Sequence, residues 1–456
     1  MTVCMARKRL ELLFDSGAFS ELFRDRPGGY LMGEGLVGGR RVFACATRTG
    51  PGGWTPLDTL KKELLLLEQL QDDPAPLVLV MDAQGFGSSA AGRSPVPPDA
   101  DELQAGGQCV GRTYYLQARL RHTVPMVGVL CVYVAAALSF PLALCDALVM
   151  VEGTGMSIGR PDAVRLMTGE ANTPEELGGA RKHCTVAGQG HALAPTEEAA
   201  FAWARRYLDF FPCRAGGELP ELPAAEPALP PVPLDRLVPA DCLLPFRMQS
   251  LIEGFVDKGS LLELKEPYAH HAITALARVG GRVCGIVANA PARFGGILFP
   301  DGCRKMTEFI TLCDSYGIPL LFLADTPGFM VGRHAEEEGS IRAGAELFTA
   351  IARCRTPRLC IVVRKAYTAG LYAMGGSGFG PSRLLALPTA SISIYGRKAL
   401  ELLKADGGLA PEGAEALAEM LQGVESSKRL EEKGMIDRVI DWSEIRGEVA
   451  RFLRGD

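Results

Sequence analysis

The sequence predicts an α/β protein made of two tandem halves, and three observations carry that expectation. Apolar, strand-like runs alternate with amphipathic helical patterns, which is the grammar of a parallel sheet. A proline-rich stretch divides the chain near its middle. Landmarks of the first half recur in the second at a nearly constant offset.

Taken in order, Gly38-Gly39-Arg40-Arg41-Val42 reads as a hairpin turn entering a strand, and Gly280-Gly281-Arg282-Val283 repeats it. TPLDTLKKELLLLEQLQ, from Thr55 to Gln71, sets Leu at i, i+3 and i+4 with charge opposite, so a helix is expected. PLVLVMDAQGF, from Pro76 to Phe86, is an apolar strand ending in Asp-x-x-Gly-Phe. PLLFLADTPGF, from Pro319 to Phe329, mirrors it. The run from Gly302 to Gly317 stands before the second of these strands as the first helix stands before the first. VPMVGVLCVYVAAAL, from Val124, is mirrored by TPRLCIVVRKAYTAGL, from Thr356. Thr196 to Phe211 opens with Thr and two Glu, a helix N-terminal signature. Asp82 and Asp325 are 243 positions apart, Gly39 and Gly281 242, Pro125 and Pro357 232, and Ala136 and Ala369 233.

Between Pro212 and Pro245, 34 residues hold nine prolines, too many for helix or ladder. The expected organisation is therefore a half over 1–211, an extended linker over 212–245, and a half over 246–456.

The chain has 456 residues and a formal net charge of −5, without the basic surplus that nucleic-acid binding needs. Its 13 cysteines contain no C-x-x-C pair, so neither a zinc ribbon nor a thioredoxin-type site is expected. The N-terminus shows no apolar core followed by a small-residue cleavage site, and a cytoplasmic location is expected. Val124 to Cys145 is an uncharged run of 22 residues. Pro125 and Pro141 punctuate it, which favours a buried strand, turn and helix over a membrane span. The His270-His271 pair is expected at a surface or interface rather than on a metal, and no metal site is expected.

In open parallel sheets ligands sit at the carboxyl ends of strands. That selects the segments after Asp82, Ala135, Asp325 and Ala366. After Asp325 comes Thr-Pro-Gly-Phe-Met-Val-Gly, either an ordered ligand loop or a plain strand-to-helix turn. After Ala366 comes Tyr367-Thr368-Ala369-Gly370, small residues opening an apolar helix. Their free N–H groups suit a developing oxyanion, with Ala369 and Gly370 as donors. Tight helix–sheet packing would select the same residues. Ala136-Ala137 holds the matching junction in the first half.

These residues also carry a resemblance. DTPGFMVG, then EEEGSIRAGAELFTAI, then RKAYTAGLYAM resemble the carboxyltransferase (β) subunits of biotin-dependent acyl-CoA carboxylases. Met167-Thr168-Gly169-Glu170 through Glu176-Leu177-Gly178-Gly179-Ala180, VPADC at Val238 and GIVANAP at Gly285 fit the same family. The resemblance covers roughly residues 8 to 445 and is stronger in the second half.

It implies two crotonase-like halves and a hexameric ring. It also implies transfer of a carboxyl group from carboxybiotin to the α-carbon of an acyl thioester, through enolates held in two backbone oxyanion holes. Ala136 and Ala137 would serve the thioester, and Ala369 and Gly370 the biotin. Asp82, Gly85, Gly328, Phe329, Thr368 and Tyr372 would bind substrate, with Tyr367 on the biotin side. The substrate would be an acyl-CoA or an acyl carrier protein, in fatty-acid or polyketide metabolism. Biotin would arrive covalently on a partner, a biotin carboxylase or biotin carrier protein, because the chain has no Ala-Met-Lys-Met site. Decarboxylation of a malonyl-type thioester, or a non-catalytic role in such an assembly, stands as the alternative.

Departures fall mainly in the first half. The family's Gly-Gly is Ala136-Ala137 here, its Arg after Asp-Ser-Gly-Gly-Ala is missing after Asp82, and Tyr372 stands where the acyl pocket usually has Asp or Ile. The corresponding glycine of the second half is Thr368.

Overall fold

The computed structural model describes residues 5–48, 55–81, 99–228, 234–394, 413 and 427–456. The chain divides into two compact units, Met1–Glu218 and Leu219–Asp456.

Each unit holds one mixed sheet, and the two sheets have the same plan. In the first, the spatial order is Ser20–Leu22, Tyr30–Val37, Arg40–Thr47, Leu77–Met81, Met126–Leu130, Ala147–Val151, Ala192–Ala194. In the second, it is Leu262–Glu263, Ala272–Val279, Arg282–Asn289, Leu320–Thr326, Arg358–Tyr367, Arg383–Ala386, Arg438–Val439. The first two ladders of each are antiparallel and the others parallel. Parallel strands are covered on both faces, so Leu77–Met81, Met126–Leu130 and Arg358–Tyr367 are buried along their whole length.

The repeat extends to individual side chains. The hairpin turns Gly38-Gly39 and Gly280-Gly281 have positive φ, and a carboxylate accepts from both N–H groups of each: Asp15 in the first unit, Asp257 in the second. An arginine from the last helix of the unit then braces that carboxylate, Arg205 on Asp15 and Arg446 on Asp257. A buried lysine on a helix caps the first long strand in both. Lys62 donates to the Tyr30 carbonyl at 3.1 Å, and Lys305 to the Lys265, Tyr268 and Ala272 carbonyls at 2.8, 2.9 and 2.8 Å. Burial depresses both amines, Lys305 to about 8.

The helices fall where the periodicity puts them. Thr55 caps Pro56–Asp72 in a reciprocal box with Asp58, and Thr196 caps Glu197–Leu208. Pro300–Tyr316 ends at Gly317 in the left-handed conformation. The uncharged run resolves into the strand Met126–Leu130, a turn, and the short helix Ser139–Ala143. No helix among the described residues is long and apolar enough to cross a membrane.

Two expectations change. The proline-rich segment is divided: 212–218 goes with the first unit, and its described residues from Leu219 on go with the second. They pack rather than dangle. Pro220 and Ala225 carbonyls accept from Arg278 and Arg446, Pro227 bridges Asp257, and Val238 enters the core. The histidine pair is split: His270 is exposed, while His271 is 5% exposed and faces Asp301 at 3.3 Å.

Glu63 is buried, and burial pushes its carboxyl up to about 7. The folded state therefore holds a proton that the unfolded chain releases above its ordinary value of 4.5, and stability falls as pH rises from there towards 7. Urea unfolding of Glu63→Gln should lose that slope between about pH 5 and pH 8, a difference of at most about 3 kcal/mol. Parallel pH dependences in the two proteins would contradict it.

Candidate functional site

The strand Met126–Leu130 leads through Val134–Ala135 into a turn, and the strand Arg358–Tyr367 leads directly into its own. Both turns pass through a non-glycine residue with positive φ: Ala136 at 55° and Thr368 at 47°. Just before it, each chain pairs with a short accessory strand, Val134–Ala135 with Met156–Ser157 and Lys365–Tyr367 with Ser391–Ser393. A helical segment starts at this residue in the first unit, Ala136–Leu138, and just after it in the second, Ala369–Ala373.

This geometry shifts the correspondence read from sequence by one residue. Pro125 and Pro357 are 232 apart, and so are Ala136 and Thr368. Ala137 therefore matches Ala369, and Leu138 matches Gly370. Exposure agrees: Ala136 and Thr368 are exposed, Leu138 and Gly370 buried. The Thr368 N–H already donates to the Ser393 carbonyl at 3.0 Å. The N–H groups of Ala369 and Gly370 lie in a first helical turn, where helix geometry supplies no acceptor.

The second junction is packed from behind. A Cβ on Gly370 would stand 2.9 Å from Thr326 Cγ2 and 3.0 Å from Gly328 Cα, so only glycine lets the loop and the helix meet. Gly328 has φ of 118°, and its carbonyl accepts from Leu298 while Met330 donates to the Leu298 carbonyl. The loop after Asp325 is thus an ordered clamp. Phe329, Phe348, Phe379 and Tyr372 form a run of ring contacts beside it, at 5.8, 5.4 and 6.2 Å between successive centroids. Tyr372 is 43% exposed, one turn after Ala369.

Below the junction lies a buried charge cluster. Asp325 has no exposure and takes Arg364 at 2.8 Å and Lys365 at 3.6 Å. Burial raises its carboxyl against the pull of both cations. Arg364 also donates to the Pro239, Asp241 and Leu244 carbonyls and lies 4.6 Å over Phe246. Lys365 donates to the Cys242 and Gly295 carbonyls. The VPADC segment is therefore a strap on the strand that ends in the junction. Burial raises the Tyr367 phenol, which sits against Ser391 and Cys242.

In the first unit, the TGE-to-EELGGA segment supports the accessory strand. Gly155 and Gly179 bridge backbone to backbone, and His183 Nε2 meets the Met156 carbonyl at 2.7 Å. Tyr133 donates to Ser157 at 2.6 Å. Tyr114 donates to the Ala137 carbonyl at 2.8 Å. Asp82 and Gly85 lie outside the described residues. Among the described residues no group of three His, Cys, Asp or Glu could hold a metal ion.

Sequence reasoning missed Tyr114 and Glu63. Glu63 had a signal, since helical spacing puts it on the same face as Leu60, Leu64 and Leu67, where a carboxylate is out of place.

Both units thus carry a strand–turn–helix junction with small or apolar residues in its first turn, at the carboxyl end of a parallel strand. Comparison with known proteins names the family. Residues 100–455 match the carboxyl transferase domain. The chain is 36% identical to an uncharacterized carboxylase, YngE, of Bacillus subtilis, covering 98% of this chain and 89% of that one. It is 30% identical to the methylmalonyl-CoA carboxyltransferase 12S subunit of Propionibacterium freudenreichii, over 98% and 87%, and 31% identical to a propionyl-CoA carboxylase β chain of Saccharopolyspora erythraea, also over 98% and 87%. A transcarboxylase 12S crystal structure, described as a hexamer assembly with hydrolysed methylmalonyl-coenzyme A bound, superposes with a TM-score of 0.87 at 29% identity, over 99% of this chain and 88% of that one. The chain belongs to the carboxyltransferase β-subunit family of biotin-dependent acyl-CoA carboxylases, and its two α/β units have the crotonase-like fold.

Two outcomes test the geometry. Ala136→Gly should stabilise the fold by about 1 kcal/mol, because alanine in the left-handed region carries a penalty that glycine avoids. The sequence alone would assign glycine there a cost. Arg364→Leu should destabilise by about 3–5 kcal/mol, since Asp325 would stay buried without its closest cation. Denaturant midpoints of the purified variants check both.

Proposed function

We propose that the first unit binds the acyl thioester and the second receives biotin carried covalently by a partner. One observation supports this above the others: a non-glycine residue with positive φ stands where a helical segment opens at the same point of both repeats. A single acyl-transfer site would need one such junction, whereas moving a carboxyl group between two carbonyl compounds needs two.

The thioester chemistry assigned to this chain is electrostatic. The thioester gives up its α-proton, negative charge moves to its oxygen, and the N–H groups of Ala137 and Leu138 hold it until the α-carbon takes the carboxyl group. Ala136, read from sequence as a donor, becomes the turn residue that aims them. Ala369 and Gly370 would hold the ureido oxygen of biotin, and the uncrowded junction they form fits that flat, neutral acceptor. Bound there, biotin would supply the carboxyl group and a basic nitrogen. Gly328 and Phe329 close the clamp behind that junction, and Thr368 and Tyr372 edge its mouth.

The substrate proposed is an acyl-CoA, with an acyl carrier protein as the other form of the same thioester. A biotin carboxylase with its biotin carrier protein is the proposed partner, in the cytoplasm, and the chain would form a hexamer like the 12S structure it resembles. Incubation with a carboxylated biotin carrier and a series of acyl-CoAs should yield 2-carboxyacyl-CoA. Release of CO2 from malonyl-CoA without transfer to biotin would indicate the decarboxylase instead. Neither reaction, with acyl-CoA bound, would indicate a non-catalytic paralogue.

Ala369→Pro removes one donor at the first helical position, where proline is tolerated. Turnover should fall on the order of 10²–10³-fold with the circular dichroism spectrum unchanged. Full activity in the folded variant would assign these residues to packing alone.

A further inference from the structure

One buried helix position of the first unit carries a carboxyl where the matching position of the second carries a thioether. Glu63 lies on Pro56–Asp72, on the face that sends Leu60, Leu64 and Leu67 into the core, and is 8% exposed. In the repeat, Pro300–Tyr316 takes the place of this helix, and 243 positions beyond Glu63 it carries Met306, fully buried. Lys62 and Lys305, one position earlier, show that this correspondence is structural, since both cap the first long strand of their unit. A buried carboxyl in place of a thioether is a cost to folding that a methionine would remove.

The ionisable groups on which the Glu63 charge acts come from three elements. Tyr30 comes from Tyr30–Val37, Cys45 from Arg40–Thr47 and Tyr114 from Val110–Leu120. Burial first, and the Glu63 charge second, raise all three. From Ala100–Ala105, Glu102 pairs with Lys61 at 3.3 Å on the exposed side. Lys62, beside Glu63, is turned to the Tyr30 carbonyl, and Leu77–Met81 brings no ionisable side chain.

Tyr114 connects this layer to the junction. Its hydroxyl donates to the Ala137 carbonyl at 2.8 Å, and its ring meets Phe140 at 5.7 Å. The Ala137 carbonyl and the Leu138 N–H belong to one rigid peptide plane. Leu138 matches Gly370 of the second junction, so the Tyr114 bond fixes the direction of the N–H that stands in the donor position.

We propose that Tyr114 is a positioning residue for the thioester site of the first unit, and that Glu63 behind it makes that site sensitive to pH. The proposal rests on the carboxyl-transfer reading above. A neutral Glu63 adds no charge to the layer behind the junction. An ionised Glu63 opposes negative charge growing on the thioester oxygen. Burial places this change near neutral pH.

The test uses the whole chain, with free biotin as acceptor and methylmalonyl-CoA as carboxyl donor, so that no partner is needed. Tyr114→Phe should lower kcat/KM for the thioester on the order of tenfold and leave the KM for biotin unchanged. Glu63→Gln should match the wild type below about pH 6 and exceed it several-fold above about pH 8. Glu63→Met, which installs the residue of the repeat, should behave like Glu63→Gln and guards against a folding defect in the amide. Identical kcat/KM values and pH profiles in wild type, Tyr114→Phe and both Glu63 variants would overturn the proposal. A wild type that transfers no carboxyl group would count against the carboxyl-transfer reading itself. Calorimetry of propionyl-CoA binding then decides the present point: weaker binding by Tyr114→Phe than by wild type supports it, and equal binding overturns it.

Discussion

A carboxylate with no exposure must be paired, and Asp325 is paired with two cations from the neighbouring strand. That requirement organises the junction end of the second unit. Arg364 cannot leave Asp325 without stranding a buried charge, so its remaining donors are fixed in direction and take the carbonyls of Pro239, Asp241 and Leu244. The same cluster therefore joins two parallel strands, anchors the strap from the proline-rich segment, and holds the strand end that turns at Thr368. Lys365 extends it to Gly295, next to the turn against which the Asp325 backbone packs.

The first unit reaches the same backbone turn by other means. Its positions 132 and 133, which match Arg364 and Lys365, are Val and Tyr, so it holds no such cations there. Neutral hydrogen bonds do the work: Tyr133 on Ser157, Tyr114 on Ala137, and Ser139 on the Ser157 carbonyl. What the units share lies at the opposite, hairpin end. Asp15 and Asp257 on paired glycine N–H groups, with Arg205 and Arg446 behind them, are equivalent down to the atoms. The repeat keeps its structural corners and has diverged around the two junctions.

Much of this was legible in advance because it depends on local pattern. The leucine periodicity of Pro56–Asp72, the Thr55 and Thr196 caps and the glycine hairpins are decided within a few residues of chain. The second junction was legible for the same reason: Tyr-Thr-Ala-Gly after a strand is a short-range signal. The first was read one residue out of register, since three consecutive alanines offer no mark of which one turns. Its positive φ, not its side chain, identifies Ala136.

The sequence by itself determined the α/β class, the duplication, the family and the segments at the carboxyl ends of the strands. Those follow from periodicity and from motifs whose spacing is fixed along the chain. Only the tertiary structure decided the partners of the buried charges. Asp325 and Arg364 are 39 residues apart, and Arg364 and Asp241 123. No local pattern encodes such pairs, because burial makes a charge seek whatever the fold brings beside it. The proline-rich segment shows the same limit: proline forbids it helix and ladder, yet carbonyls that prolines leave free are what Arg278, Arg364 and Arg446 bind.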